Sequence, residues 1–563
     1  MSTTEIGAPE LAGVESLSGV RGRRVAYYLG IGLAIALFFW LSARHITSPG
    51  VHYDEVLPAP AAIHLVKGQV NADYNRVWSV TIAGRTFPVM DMEYMGALKS
   101  YLLAPVFFLF GINVTALRLT GILVTLLGLV FTARFAAAAF GTQAALWGTW
   151  LVATDPSFIL YFKTDFGPLA AAFLLRMAAL FYLARWWKSG GRLAPLIAAS
   201  ALLGLGIYDK TNFLWFVVAL AVVGAGLWLV SRERPRLTGR HLALALITLL
   251  LASAPLWVFN LRNNWVTFKM AALPGESVSL AKLIQLVPRR TVELKSMLNG
   301  QANDVWMFGQ PLTPHLGIKG TWLLPLSVAA VAILVVVGLA TRRWRLLALP
   351  ALMAVMLGQM YLTPRPVWVW HFIGLYPFPH LAVGLALVVI GQAVGPRWRA
   401  AVMWGGSVVL LMALCFNLLA MANYYQLMRE TGGRGTWGET IYPLAETLKT
   451  QYADRPIQLM DWGVGNQLFF LSAGQLRLHE PFWAYLGSPQ PAEELVRLVA
   501  DPTNVFIVHT PPETMFPNPR AALDEAVRRA GAVVKAERQF YNRRSKAVYT
   551  LFEFSPRPGP SQD

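Results

Sequence analysis

The sequence predicts a polytopic α-helical membrane protein carrying a small α/β domain outside the membrane, and three observations lead there. Apolar residues make up 55% of the 563 positions and mean hydropathy is +0.47, which sets the chain apart from ordinary soluble proteins. These residues recur in runs of about 20, enough for a helix to cross roughly 30 Å of hydrocarbon. Basic residues gather in alternate short loops between the runs, until the pattern changes after residue 423.

Arg21, Arg23 and Arg24 precede the first long apolar run, which is too long for a signal-peptide core and lacks a small-residue cleavage site. It therefore reads as an uncleaved span at 25–44 behind a cytoplasmic tail, 1–24. Further spans are expected at 114–138, 143–162, 168–187, 193–209, 212–230, 241–259, 320–340, 346–363, 371–393 and 401–422. The predicted inner loops hold Arg134; Arg185, Lys188 and Arg192; Arg232, Arg234, Arg236 and Arg240; Arg342, Arg343 and Arg345; Arg397 and Arg399. The short outer loops hold little beyond Lys163, Lys210 and Arg365. This asymmetry orients about 11 spans with the N-terminus inside and the C-terminus outside.

Residues 97–111 are apolar, but they form a short run interrupted by Pro105, and counting them as a span would turn every later arginine cluster outward. They are expected to lie as a helix in the outer interface. The first outer loop then covers 46–112, within a module of 25–265, and a second covers 260–319, ahead of a second membrane module at 266–422. From 423 to 555 the apolar runs shorten to strand length, at 457–460, 505–508 and 547–552, with helices expected at 493–500 and 521–530. The tails 1–20 and 556–563 are expected to be disordered, and no internal repeat is found.

The formal charge of +18 sits in the membrane-flanking loops, not in a stripe interleaved with aromatics, which argues against nucleic-acid binding. The single cysteine, Cys415, excludes an intramolecular disulfide and a cysteine metal cluster. The nine histidines show no metal-ligand spacing, so no metal site is predicted, although a divalent ion bridging an acid to phosphate is chemically reasonable.

The residues that stand out are acids at the outer ends of spans. Asp54 and Glu55 follow the first span in His52-Tyr53-Asp54-Glu55, and Asp165 closes a later outer turn. Ionisable groups beside hydrocarbon are costly and usually functional. The plain alternative for Asp54 and Glu55 is a solvated loop pair, and for Asp165 a helix cap before Phe166-Gly167-Pro168. A carboxylate within reach of an acceptor hydroxyl can serve as a general base, and one suffices when the leaving group is a phosphate. A departing phosphate needs cationic partners. Lys99, Lys210 in Tyr208-Asp209-Lys210-Thr211, and Arg262 are the candidates. Snorkelling explains Lys99 equally well, and a surface pair with Asp209 explains Lys210. Glu93, Arg365 and His371 are weaker candidates for a substrate cleft, the last two in an aromatic turn at 363–371.

These residues resemble the GT-C superfamily of polytopic glycosyltransferases, in the branch of protein O-mannosyltransferases and the lipid A aminoarabinose transferase. The resemblance rests on the order of four features over about residues 25–265. The Asp54-Glu55 pair precedes a small helix ending at Gly68, and an interfacial helix carries Lys99. Leu117-Arg118-Leu119 opens the next span after Phe110-Gly111, and Asp165 closes the next outer turn. The sequence has Met95-Gly96-Ala97 where relatives have a proline pair. The resemblance implies an inverting glycosyltransferase that uses a polyprenyl-phosphate sugar on the non-cytoplasmic face, in keeping with a bacterial inner membrane. It implies Asp54 as the base, Glu55 orienting the acceptor or a neighbouring group, and Asp165 as the second acid. The acceptor is expected to be an envelope glycan or lipid, with a Ser/Thr protein acceptor as the alternative. A transporter and an inactive lipid-sugar-binding relative are the other readings. Acids clustered at the outer ends, rather than at the midplane of repeated halves, speak against transport.

Overall fold

A computed structural model describes residues 17–68, 78–271, 279–312, 319–485, 493–516 and 519–557. Most of both expected disordered tails, 1–16 and 558–563, lies outside the described residues.

Every expected span coincides with helix. Eight helices among the described residues are long and apolar enough to cross a membrane, or nine if the pair Gly239–Ala252 and Ala254–Arg262, bent by 62°, is one span. The expected span 143–162 is divided at Asp155 into helices Thr142–Thr154 and Pro156–Thr164. Asp155 causes the break: its carboxylate accepts a hydrogen bond from Phe158 N at 2.9 Å and Pro156 opens the second helix, a strong start signal. Leu193–Asp209 is shorter, at 17 residues, and the last helix, Pro396–Thr431, runs well past the expected 401–422. The apolar segment before Gly111 is a helix, Leu98–Phe110.

The basic loops gather at one end of the bundle. Arg236 N donates to Gly190 O at 3.3 Å, His241 Nε2 lies 2.8 Å from Gly191 O, and Arg345 pairs with Glu233 at 3.4 Å. Asp165 and Lys210 sit at the opposite ends of the adjoining helices.

Two sheets lie outside the bundle. The first outer loop folds into a hairpin of β1 (Trp78–Ile82), β2 (Arg85–Met92) and β3 (Met95–Gly96), antiparallel in that order. The C-terminal region forms a five-stranded sheet from β4 (Pro456–Leu459), β5 (Arg477–His479), β6 (Val505–His509), β7 (Ala532–Tyr541) and β8 (Ala547–Pro556). Its order is β5-β4-β6-β8-β7; the first three strands are parallel and the last two antiparallel. Helices Glu493–Ala500 and Pro519–Ala530 accompany it, close to the expected positions.

The C-terminal region packs on the loop that carries Asp54. One apolar cluster runs from Val51, Val56 and Ile63 through Leu103 and Phe107 to Leu444, Phe469 and Val505. Gly50 is part of this seam, where a Cβ would stand 2.3 Å from the carbonyl oxygen of Gly438. Tyr442 Oη completes it by donating to Thr47 O at 2.8 Å.

Candidate active site

Three segments build the site. The first is the turn His52-Tyr53-Asp54-Glu55 ahead of helix Ala59–Lys67. Glu55 is fully buried and its carboxylate takes a two-pronged bond from Arg118, Nε to Oε1 at 2.7 Å and Nη2 to Oε2 at 3.0 Å. Arg118 also donates to the carbonyls of Ile46 at 2.7 Å, Pro49 at 2.9 Å and Gly50 at 3.2 Å. Its planar fork thus ties the end of the first span, the turn and helix Val114–Phe140 together. Glu55 Oε2 further accepts from His52 N at 3.2 Å. Glu55 thus orients a neighbouring group, its oxygens engaged by Arg118 and His52.

His52 holds Asp54. Asp54 N donates to His52 Nδ1 at 3.0 Å, and burial lowers the imidazole to about 3, so the ring is neutral with its proton on Nε2. The ring is packed by Trp437 at 4.4 Å and Phe166 at 4.8 Å, centroid to centroid. Asp54 itself is half-buried. Burial raises its carboxyl to about 6, with Lys210 pulling the other way.

The second segment is the turn after helix Pro156–Thr164, where Asp165 is left-handed at φ 44°. Its Oδ1 accepts from Ala170 N at 2.8 Å, in the first turn of helix Leu169–Lys188, so the cap expected from sequence is present. Its Oδ2 pairs with Lys99 Nζ at 3.0 Å. Lys99 Nζ also donates to Asp165 O at 2.7 Å and Glu55 O at 3.3 Å, and the side chain is buried. All three ammonium protons thus have partners, and Lys99 joins the Asp54-Glu55 turn to the Asp165 turn.

The third segment is the turn 208–213. Tyr208 Oη donates to Val89 O at 2.7 Å and accepts from Ala97 N at 3.2 Å, Thr211 N donates to Tyr94 O at 3.1 Å, and Met95 pairs with Lys210 as an isolated bridge. The hairpin is thereby docked on the turn that carries Lys210. A Cβ on Gly167, at φ +59°, would stand 2.8 Å from Lys210 Nζ, which puts the ammonium against the Asp165-Phe166-Gly167 turn. Among the described residues no hydrogen bond closes on Lys210 Nζ. Its electrostatic partners are Asp54, Asp209, Lys99 and Asp165.

Of the remaining expected residues, His371 is within electrostatic reach of Lys210 and its Nδ1 accepts from Trp368 N at 3.0 Å. Arg365 is drawn into a different arrangement. Arg290 clamps the carbonyls of Tyr361, Thr363 and Arg365 at 2.6, 2.7 and 3.0 Å, which shapes the aromatic turn. That turn reaches the site through Trp370, which packs on Phe166 at 5.1 Å and stacks on Trp306 at 5.0 Å. Arg262 is exposed and is not gathered with Asp54, Asp165 or Lys210; its neighbour Asn263 instead lines a cleft of about 570 Å³ that also receives Glu93 and Tyr53. No group of three His, Cys, Asp or Glu side chains among the described residues is placed to hold a metal ion, and Asp165 is already spent on Lys99 and Ala170.

Sequence reasoning missed three members. Arg118 was visible as a charge opening a span, but its partner is 63 residues away. Asp209 is fully buried with neither carboxylate oxygen hydrogen-bonded, yet from sequence it read as half of a surface pair. Asp91 is a buried acid in β2, signalled only by the acidic pair Asp91 and Glu93.

A model of the family described as dolichyl-phosphate-mannose-protein mannosyltransferase matches residues 96–259. ArnT from Cupriavidus metallidurans in the apo state is similar in structure over 94% of this chain and 98% of that one, with TM-score 0.56 at 15% identity. The same protein bound to undecaprenyl phosphate is similar over 95% and 98%, with TM-score 0.54 at 14% identity. The chain shares the fold of these membrane glycosyltransferases, and its residues 96–259 match the mannosyltransferase family model. The archaeal oligosaccharyltransferase AglB from Archaeoglobus fulgidus, in complex with an inhibitory peptide and a dolichol-phosphate, shares the fold over 94% of this chain and 74% of that chain, with TM-score 0.53 at 13% identity. No curated protein matches the chain in sequence at a significant level. The shared fold brings the two acidic turns and the lysine turn, distant in sequence, together at one end of the bundle.

Proposed function

We propose that this GT-C enzyme transfers a sugar from a polyprenyl-phosphate-linked donor to a hydroxyl of an envelope glycan or lipid, on the extracytoplasmic face of a bacterial inner membrane. The observation that carries the reading is Asp54: a half-buried carboxyl raised to about 6, within electrostatic reach of Lys210, whose ammonium has no hydrogen-bond partner among the described residues. Such a group is mostly ionised at neutral pH yet close enough to it to be an effective base. The Asp54 carboxylate takes the proton of the acceptor hydroxyl as that oxygen bonds to the sugar C1. The bond from C1 to the phosphate oxygen breaks, its electron pair leaves with polyprenyl phosphate, and the configuration at C1 inverts. Lys210 balances the charge that grows on the departing phosphate, at a boundary where little water screens it. Asp165, Lys99, Glu55 and Arg118 hold the two turns in place.

The lipid-phosphate ligands of ArnT and AglB support the donor class. The family description, with its protein acceptor, favours a second reading in which Ser or Thr of a protein receives the sugar. The test uses purified full-length protein with a panel of radiolabelled polyprenyl-phosphate sugars, offered an envelope extract or a Ser/Thr-containing peptide. Transfer to glycan or lipid that collapses in a folded Asp54→Asn variant supports the proposal. Transfer to peptide alone selects the second reading, and full transfer by Asp54→Asn removes the base.

A further inference from the structure

The cleft of about 570 Å³ beside Tyr53 is not used by the chemistry above, and its wall is unusual in composition. Its charged lining residues are the acids Asp91, Glu93 and Glu480, and among the described residues no lysine, arginine or histidine joins them. The amides Asn263 and Asn466 and the aromatic residues Tyr53, Trp78 and Phe259 share the wall with aliphatic side chains and methionines. Four separate stretches of the chain contribute, two of which carry the acids. Asp91, Glu93 and Trp78 come from the outer-loop hairpin, whereas Asn466 comes from helix Gly465–Leu471 and Glu480 follows β5.

Asp91 is a buried acid in this wall. It is only 9% exposed, and its Oδ1 has no hydrogen-bond partner among the described residues. Ser100 Oγ lies 2.8 Å from Asp91 Oδ2 and 2.8 Å from the carbonyl of Pro58. A hydroxyl has one proton, and a carbonyl can only accept. When Ser100 donates to Pro58, the contact with Asp91 needs a proton on Asp91 Oδ2. Burial raises the Asp91 carboxyl to about 8, in keeping with that arrangement. The neutral acid then keeps Oδ1 as a buried acceptor with no partner among the described residues, a costly state for a polar atom beside the cleft.

We infer that this cleft, closed by the C-terminal region over the hairpin, is the subsite for a polyhydroxylated acceptor, a sugar carrying no phosphate at this position. Carboxylates accept from sugar hydroxyls, amides both donate and accept, and the apolar face of a sugar ring packs on Trp78 or Tyr53. Among the described residues a lipid phosphate would meet three acids and no cation here, which favours Lys210 for the donor headgroup and this cleft for the acceptor. The volume is in the ordinary range for a small-molecule site, roughly 300–1,000 Å³. The inference rests on the glycosyltransferase reading and names its acceptor as a sugar, not a peptide.

Saturation-transfer NMR on the full-length protein in nanodiscs tests it, with methyl α-D-glucopyranoside, methyl α-D-mannopyranoside, methyl α-D-galactopyranoside and a Ser/Thr-containing tetrapeptide as probes. The expected result is saturation of the ring protons of at least one glycoside, weakened about fivefold or more by Asn466→Leu and by Trp78→Ala. Asp54→Asn, which loses the base and leaves the cleft wall intact, keeps the signal. Glycoside saturation that is absent in wild type, or undiminished in both cleft variants, overturns the subsite, as does saturation of the peptide alone. Failure of the parent reading is separate: it shows as no sugar transfer from any polyprenyl-phosphate donor while glycoside saturation persists.

Discussion

Lys99 Nζ stands 3.0 Å from the carboxylate of Asp165 and 2.7 Å from its backbone carbonyl, so one ammonium group holds both the side chain and the left-handed turn of the same residue. The pair acts as one unit. Its side chains are 4% and 7% exposed, and removing one partner leaves the other charge buried without compensation. Lys99→Met and Asp165→Asn should each destabilise the protein by about 3–5 kcal/mol. The double variant should lose clearly less than the sum. Thermal unfolding of the three variants in detergent checks this; additive losses would mean the two groups work independently.

Asp54 and Lys210 make a prediction about pH. Because the base must be ionised, transfer should rise with pH through about 6 and level off above it. Lys210 holds the Asp54 carboxyl down against the effect of burial, so Lys210→Met should move that acidic limb to higher pH. The same variant should raise KM for the donor. Asp54→Asn should lower kcat by about 10²–10⁴-fold at every pH. An acidic limb at the same pH in wild type and Lys210→Met would separate the two residues and remove Lys210 from the site.

Asp91 makes a prediction about stability, with the opposite sign to most carboxyls. In the unfolded chain it releases its proton near its ordinary 3.8, but in the folded protein it keeps the proton to about 8. Between those values the folded state holds one proton more, so this group makes stability fall as pH rises, and the fall stops above about 8. Asp91→Asn keeps the shape of the neutral acid without the titration, so its advantage over wild type should grow from pH 5 to pH 8. Melting temperatures of the two proteins across that range, with the other titrating groups common to both, isolate the effect. A difference that stays constant with pH would mean that Asp91 is ionised.

The parts of the fold legible in the sequence are those set by periodic apolar runs and by charge at their ends. The spans, the helix Leu98–Phe110 and strands β4, β6 and β8 follow from such runs. β5 is only three residues long, and the long edge strand β7 is largely polar and exposed, so neither carries an apolar signal. The break at Asp155 was written in Asp155-Pro156, a cap followed by the residue that favours a first turn, yet the surrounding apolar run hid it. At the site, Asp54 and Asp165 stood out because acids at membrane depth are rare. Which lysine is open and which is satisfied depends on contacts across 44 and 66 residues, and no local pattern encodes these.

Arg118 gives the sharpest test of whether Glu55 acts on substrate or on structure. The guanidinium and the carboxylate are both fully buried, and five contacts leave Arg118 no free donor direction. A lysine has three donors on one atom and cannot reach three carbonyls and both carboxylate oxygens together. Arg118→Lys should therefore be destabilising, and Arg118→Met should cost about 3–5 kcal/mol by leaving Glu55 as a lone buried charge. If Glu55 only positions the turn, Glu55→Gln, which keeps the shape and one acceptor oxygen, should lose stability through Arg118 while its folded fraction keeps the wild-type KM for donor and acceptor. The acidic limb of its pH profile should stay near 6, because the titrating base is Asp54. Measured on folded protein isolated by size exclusion, a raised acceptor KM or a shifted limb in Glu55→Gln would return Glu55 to direct contact with substrate.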